Sequence, residues 1–310
     1  ALAVECAAAD GDPSHLQPAT IVTEMFADAS GWFGKNGESV TAVWDQAGGQ
    51  MIACGRDGHG VRCSNGLDTS ELAGFGSIRF PDLGRRVATT GALSVCGRGH
   101  AGVACARNAG GRWPATTLWS PVYADGGGWD QPVYGDTVQL ADLDNDGRID
   151  VCGRSHYGLL CAVQSRRGSY AFESEHLWTF DEARDASGGQ PSKDGSTTDY
   201  DATAEDFSDR DAGGIWPSAL AYYGTIQLVD VNHDGFADAC GRAPDGIYCA
   251  FSTGVGFERK RLVVPLDFTD AQGWADPSHG ATLRLGDLAG DGRIAACGRS
   301  AAGVVCAEGY

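Results

Sequence analysis

One ten-residue cassette, Cys-Gly-Arg-x-x-x-Gly-x-x-Cys, constrains the fold of this chain more than any other feature. It occurs five times: CGRDGHGVRC from Cys54, CGRGHAGVAC from Cys96, CGRSHYGLLC from Cys152, CGRAPDGIYC from Cys240 and CGRSAAGVVC from Cys297. Five copies of one small unit mean a repeat architecture, because each unit needs neighbours to bury its apolar faces. The spacing suits a tight antiparallel hairpin whose seventh residue, always Gly, takes the left-handed position of a bulged turn. The two cysteines of each copy then face each other at disulfide distance. The predicted bridges are Cys54–Cys63, Cys96–Cys105, Cys152–Cys161, Cys240–Cys249 and Cys297–Cys306. Closing so short a loop contributes about 2–3 kcal/mol per bridge on the chain-entropy estimate.

Composition supports the same class. The 310 residues include 46 glycines, and regular turn signals between short apolar runs indicate all-β structure. Ten of the 11 cysteines fall in the cassettes, which points to an oxidising compartment. Cys6 is left over, in VECAAADG, a stretch like the second half of a cassette (GVACARNAG) without the first. A net charge of -18 argues against nucleic-acid or anionic-membrane partners. No apolar run is long enough to span a bilayer. The chain begins at Ala1 without a methionine, as a processed secreted protein would. The expectation is a soluble, secreted, monomeric extracellular protein.

The third unit shows the plan of a repeat. DTVQLADL reads as a strand, DNDGR as an acidic loop, IDVCGR and GLLCAVQ as the cassette hairpin, and EHLWTF as a last strand. Strand, loop, strand, turn, strand, turn and strand make a four-stranded antiparallel meander, and radial repetition of such meanders gives a β-propeller. The inner strands are expected at 38–45, 76–82, 136–142, 224–230 and 281–287. The predicted fold is a single β-propeller domain over 1–310, five blades of four antiparallel strands. The fifth blade lacks an outer strand, and TIVTEM (20–25), which aligns with TTLWSP, is expected to fill that place and close the ring.

A second motif leads into the inner strands: FADASGW (26–32), YADGGGW (123–129) and FTDAQGW (268–274), with a distorted copy, FSDRDAGGIW (207–216). It falls on the same face as the cassette turns, opposite the acidic loops, and such loops usually carry function. The acidic loops carry a third pattern. Asp142, Asp144, Asp146 and Asp150, and again Asp230, Asn232, Asp234 and Asp238, have calcium-loop spacing, with Gly147 and Gly235 at the sharp turn. Alternate oxygens fold round a hard cation, and the last carboxylate closes the sphere. Two structural calcium ions are the expected cofactors. The fifth copy, from Asp287, has lost two ligands.

LADLDNDGRIDVCGR and LVDVNHDGFADACGR resemble the FG-GAP/VCBS repeats of integrin-type propellers and secreted microbial proteins. The Cys-Gly-Arg hairpin with its GW loop is similar to a variant in secreted microbial modules. The resemblance covers nearly the whole chain. It implies the propeller fold and calcium in the two intact loops, but no single activity, since such relatives include adhesion modules, lectins and polysaccharide lyases.

Candidate chemistry lies where the repeat is broken. An insertion at 181–211 holds ten carboxylates against three basic residues. Residues expected where inner strands emerge also differ between blades: Glu38, Tyr134 with Asp136, Tyr222 with Tyr223, and His279. Such divergence suits one asymmetric pocket. Glycosidic cleavage needs two carboxylates about 5 Å or about 6.5–9.5 Å apart. The leading expectation is a glycoside hydrolase of a polysaccharide or cell-wall glycan. Glu205 or Asp206 would pair with Asp136 or Glu38, Tyr222 and His279 would orient substrate or relay protons, and Trp129, Trp216, Tyr134 and Tyr223 would bind sugar. The alternatives are a lectin or cell-wall-binding module without catalysis, a lyase using Tyr or His as base, and a protein-binding adhesion propeller. The cassette arginines (Arg56, Arg98, Arg154, Arg242, Arg299) occur in every unit and are expected to pair with an Asp of a neighbouring GW loop. Turn histidines His59, His100 and His156 read as tolerated surface residues. No serine-hydrolase order, HExxH or nucleotide fingerprint is present.

Overall fold

The computed structural model describes residues 4–6, 20–23, 41–45, 50–57, 60–64, 68–69, 77–79, 94–107, 113, 115–165, 172–178, 207–209, 215–286 and 295–308. The chain falls into two compact units, Ala1–Asp130 and Gln131–Tyr310.

The first unit holds a two-stranded sheet, β1 (Val4–Cys6) with β2 (Thr20–Thr23), and two four-stranded sheets. One is β3 (Thr41–Asp45), β4 (Gln50–Asp57), β5 (Gly60–Cys63) and β6 (Asp68–Thr69) in sequence order. The other is β7 (Ser77–Arg79), β8 (Ser94–Gly99), β9 (Gly102–Arg107) and β10 (Thr117–Ser120). The second unit repeats the meander with β11 (Gln139–Ala141), β12 (Asp150–Ser155), β13 (Gly158–Ala162) and β14 (His176–Leu177). It does so again with β15 (Gln227–Val229), β16 (Asp238–Ala243), β17 (Gly246–Ala250) and β18 (Arg261–Pro265). Its last sheet has three strands, β19 (Arg284–Gly286), β20 (Ala295–Ser300) and β21 (Gly303–Glu308). The chain is all-β, as its turn spacing predicts.

Each cassette is the predicted hairpin. Its cysteines are paired directly across the strands, with Cα atoms 4.0–4.1 Å apart in all five disulfides. The seventh residue, Gly60, Gly102, Gly158, Gly246 or Gly303, has φ between 120° and 145°. This lies beyond the compact left-handed helical well expected, in territory that only glycine enters cheaply. At Gly246 a Cβ would also stand 2.2 Å from the Val264 carbonyl oxygen.

Two expectations are corrected. The described part of the segment at 20–25 is found in another pairing: β2 pairs with β1, Cys6 opposite Thr20. Val304 of β21, in the three-stranded sheet, is 70% exposed, whereas the equivalent Ile247 of a four-stranded sheet is 0% exposed. The inner strands are also shorter than expected. Pro132–Gly135, Leu220–Tyr223 and Pro277–Gly280 each form a single helical turn before the strand begins. Pro132 and Pro277 occupy the first helical position, where the missing N–H costs nothing. A threonine then joins turn to sheet. The hydroxyls of Thr137, Thr225 and Thr282 each donate to a carbonyl of the turn at 2.6 Å. Each also accepts the backbone N–H of a cassette arginine at 2.8 Å.

In the second unit the core lies between successive sheets. Leu143, Leu159, Trp178, Phe207, Trp216 and Ile226 form one cluster, and Ile247, Val264, Phe268, Trp274 and Leu283 another. A glutamine couples neighbouring first strands. Gln139 donates to the Ile226 carbonyl while its own oxygen accepts from Leu228 N–H. Gln227 treats Leu283 and Leu285 in the same way, both at 3.1 Å.

Candidate functional site

The cassette arginines form the centre of a constellation that recurs from sheet to sheet. Arg154 and Arg242 are wholly buried, so their charge must be met inside the protein. Arg154 pairs with Asp209, and Arg242 Nη1 pairs with Asp270 at 2.7 Å. Arg98 Nη1 meets Asp125 at 2.6 Å. Each aspartate belongs to the GW loop that leaves the arginine's own sheet, the pairing expected from sequence. A second tie fixes the same loop, because the N–H groups of Asp125, Asp209 and Asp270 donate to the turn carbonyls of His100, His156 and Pro244.

A tyrosine from the helical turn completes the arrangement. Tyr134 Oη donates to Asp209 at 2.8 Å and Tyr222 Oη to Asp270 at 2.7 Å. The guanidinium of Arg154 lies 5.5 Å from the Tyr134 ring centre, and that of Arg242 lies 4.7 Å from Tyr222, a favourable cation–π placement. Burial and the neighbouring carboxylate push both phenols above their ordinary pKa. That direction is opposite to what a tyrosine base requires. Burial pulls Asp209 upward, but hydrogen bonds from Tyr134, His156 and Arg154 outweigh it and hold the carboxyl below its usual range. Hydrogen bonds from Arg98 and His100 likewise lower Asp125.

The tryptophans of the GW loops face inward. Trp129 and Trp274 are each 5% exposed and Trp216 is 0% exposed, which corrects the expectation of Trp129 and Trp216 as sugar platforms. Each packs against the aromatic that opens its loop, with ring centres 4.7–4.8 Å apart for Tyr123–Trp129, Phe207–Trp216 and Phe268–Trp274. The indole also explains the second residue of the cassette. A Cβ on Gly241 would lie 2.8 Å from Trp216, and one on Gly298 would lie 2.6 Å from Trp274. The loop is thus held by one sheet through Arg–Asp and seated on the next through Trp–Gly.

The remaining predicted site residues are dispersed. Tyr134, Tyr222 and His279 occupy the same third position of the three helical turns. Asp136 is exposed, and its charge, after burial, helps raise the pKa of Tyr223 from the adjacent turn. His279 is half-buried, its Nδ1 3.3 Å from the Gly273 carbonyl. Glu38, Glu205, Asp206 and most of the insertion lie outside the described residues. His156, read from the sequence as a tolerated surface residue, has its Nδ1 2.6 Å from Asp209 Oδ2.

On the acidic loops, one carboxylate oxygen from each of Asp142, Asp144 and Asp146 lies within 4.8 Å of the others. Both loops take the same course, with Asn145 and His233 at φ 55° and 59°, then Gly147 and Gly235 at 81° and 93°. Among the described residues no donor reaches the buried Oδ1 of Asp230. The first loop thus gathers three carboxylates and the second leaves one buried carboxylate oxygen without a donor, in each case the kind of oxygen that a hard cation takes. Asn232 donates to Asp234 at 2.9 Å. Asp150 and Asp238 have a further role: each accepts two backbone N–H groups, from Leu143 and Gln164 or from Val231 and Ser252. Burial pushes Asp150 up to about 8 and Asp238 up to about 6.

No family model matches the chain, and no curated protein matches it. Among solved structures, it is similar to a lectin from Agrocybe aegerita, described as specifically recognising non-reducing terminal N-acetylglucosamine. The TM-score is 0.62 at 20% identity, over 96% of this chain and 69% of the lectin. A second match is the Tc holotoxin pore of Photorhabdus luminescens, with a TM-score of 0.47 and 12% identity, over 99% of this chain and 12% of the toxin. The first likeness establishes a shared fold. Five disulfides are compatible with an extracellular protein, and no described helix is long and apolar enough to cross a membrane.

Proposed function

We propose that this chain is a secreted glycan-binding module of the lectin type, not a glycoside hydrolase. The observation that carries this reading is the likeness, over 96% of the chain, to a lectin for terminal N-acetylglucosamine. The side-chain chemistry supports it. Tyr222, the tyrosine assigned to catalysis, is committed to Asp270 and displaced away from basicity. Asp209 and Asp270 are likewise engaged by arginines.

In this reading the sheets are blades of one propeller domain over 1–310, five in number and of FG-GAP/VCBS type. Asp142, Asp144 and Asp146 would hold one calcium ion, and Asp230, Asn232 and Asp234 a second. The ion would supply positive charge that lets the crowded carboxylates share a loop. Glycan binding is tested by passing a panel of plant, fungal and bacterial glycans over the immobilised protein and assaying the eluate for cleavage. Retention of intact glycans is expected. New reducing ends or unsaturated products would overturn the lectin reading in favour of an enzyme.

A further inference from the structure

We infer that the cassette turn of the third sheet, Ser155–Gly158, is a glycan contact. His156 and Tyr157 there would receive the terminal pyranose of a neutral oligosaccharide. This rests on the lectin reading and deepens it by naming a site and a class of ligand.

The turn is built to hold two rings in place at the surface. Tyr157 is 43% exposed, and its ring stands edge-on to the His156 ring, centres 4.9 Å apart and planes at 87°. Below the rings, Ser155 Oγ donates to the Gly158 carbonyl at 2.8 Å and accepts the Tyr157 N–H at 3.2 Å, fixing the turn. His156 Nδ1 lies 2.6 Å from Asp209 Oδ2, and 48% of the His156 side chain is exposed. A carboxylate can only accept, so Nδ1 carries the proton. In the neutral ring Nε2 is then an acceptor. Asp209 is itself fixed by Arg154 and Tyr134. An oriented nitrogen acceptor beside an aromatic ring matches a pyranose, which presents hydroxyl donors beside a patch of C–H bonds that pack on a π-face. Because the rings are held before binding, little rotamer freedom is lost on association.

The other described turns lack this combination. His100 is held by Asp125 at 3.0 Å in the same way, but the next residue is Ala101. The fourth and fifth sheets carry Pro244–Asp245 and Ala301–Ala302 at these positions. Charge narrows the ligand class. With a net charge of -18 on the chain, a sialylated or uronic-acid terminus would be repelled, and a neutral hexose or N-acetylhexosamine would not.

The test uses the whole chain on a glycan array holding neutral and acidic termini, followed by titration calorimetry with chitotriose. Tyr157→Ala and His156→Ala should each weaken binding at least about tenfold, Tyr157→Phe should retain it, and His100→Ala should leave it unchanged. Circular dichroism and melting temperature verify the fold of each variant. Should Tyr157→Ala unfold, saturation transfer from selectively labelled tyrosine rings to the sugar protons reads the same contact. Binding by the unmodified chain that survives Tyr157→Ala, or a preference for acidic termini, overturns this inference and leaves the lectin reading standing. No glycan retained by the unmodified chain overturns both.

Discussion

Around a guanidinium with no exposed surface, as in Arg154 and Arg242, an aspartate, a ring face and backbone carbonyls replace the water that the charge has lost. Arg242 uses the Ala221 and Phe268 carbonyls as well as Asp270. Removing the carboxylate strands the charge, so Asp270→Ala should cost about 3–5 kcal/mol, read as a lower urea midpoint. Tyr222→Phe removes one hydrogen bond and should cost about 1 kcal/mol. These braces also set an acid limit. Asp209 and Asp125 have folded-state pKa values below the ordinary one. Their contribution is therefore complete above the ordinary carboxylate pKa of about 4 and is lost as pH falls through the lower folded value. Melting temperature should drop as pH falls below about 4, and Asp209→Asn should flatten that drop. The arginine–aspartate pairing was legible from sequence because both partners recur in fixed motifs. The purpose of the cassette's first glycine was not, because the tryptophan that excludes its side chain comes from a loop 25 residues upstream in one case (Trp216 to Gly241). Gly241→Ala should destabilise by about 1–3 kcal/mol, measured by the same denaturation.

At the scale of elements, the hairpins were readable in detail and the helical turns were not. Alternation and a glycine at a fixed offset specify a hairpin locally. Pro132–Gly135 is a single turn, too short for helical periodicity to register, and its stabilising partner, Thr137, reads as an ordinary strand residue. Tyr134, Tyr222 and His279 therefore looked like strand ends facing a pocket, when they are turn residues facing a loop. The acidic loops were legible in course and spacing. The tethering of Asp150 and Asp238 to backbone N–H groups was not, because it depends on where the third strand ends. If calcium fills the loops, a chelator should lower the melting temperature, and Asp144→Ala should both lower it and abolish much of the chelator's effect. A chelator that changes nothing would remove the proposal.

At the scale of the molecule, five short disulfide loops add up. Each closes over a separation of 9 residues and contributes about 2–3 kcal/mol, comparable together to the net stability of an ordinary domain. Reduction should therefore shift the urea midpoint far more than any single substitution above, with the fully reduced chain expected to unfold in buffer at 37 °C. The repeat was legible at this scale because every copy shows the same hairpin. The pairing of β2 with β1 was not, because the segment at 20–25 carries the pattern of an outer strand without naming its neighbour. The joint made by Gln139 and Gln227 has a consequence for ancestry. Each amide meets the next strand through main-chain groups alone, so the joint is indifferent to the side chains it meets. A duplicated unit could dock at once, before any adaptation, and its loops could then drift independently. Arg284, at the same position in the last sheet, can donate but cannot accept. It makes half the joint at best, and Thr41 and Arg79, which stand opposite the first cysteine of their cassettes as Gln139 and Gln227 do, also lack the amide, so the joint belongs to the third and fourth sheets.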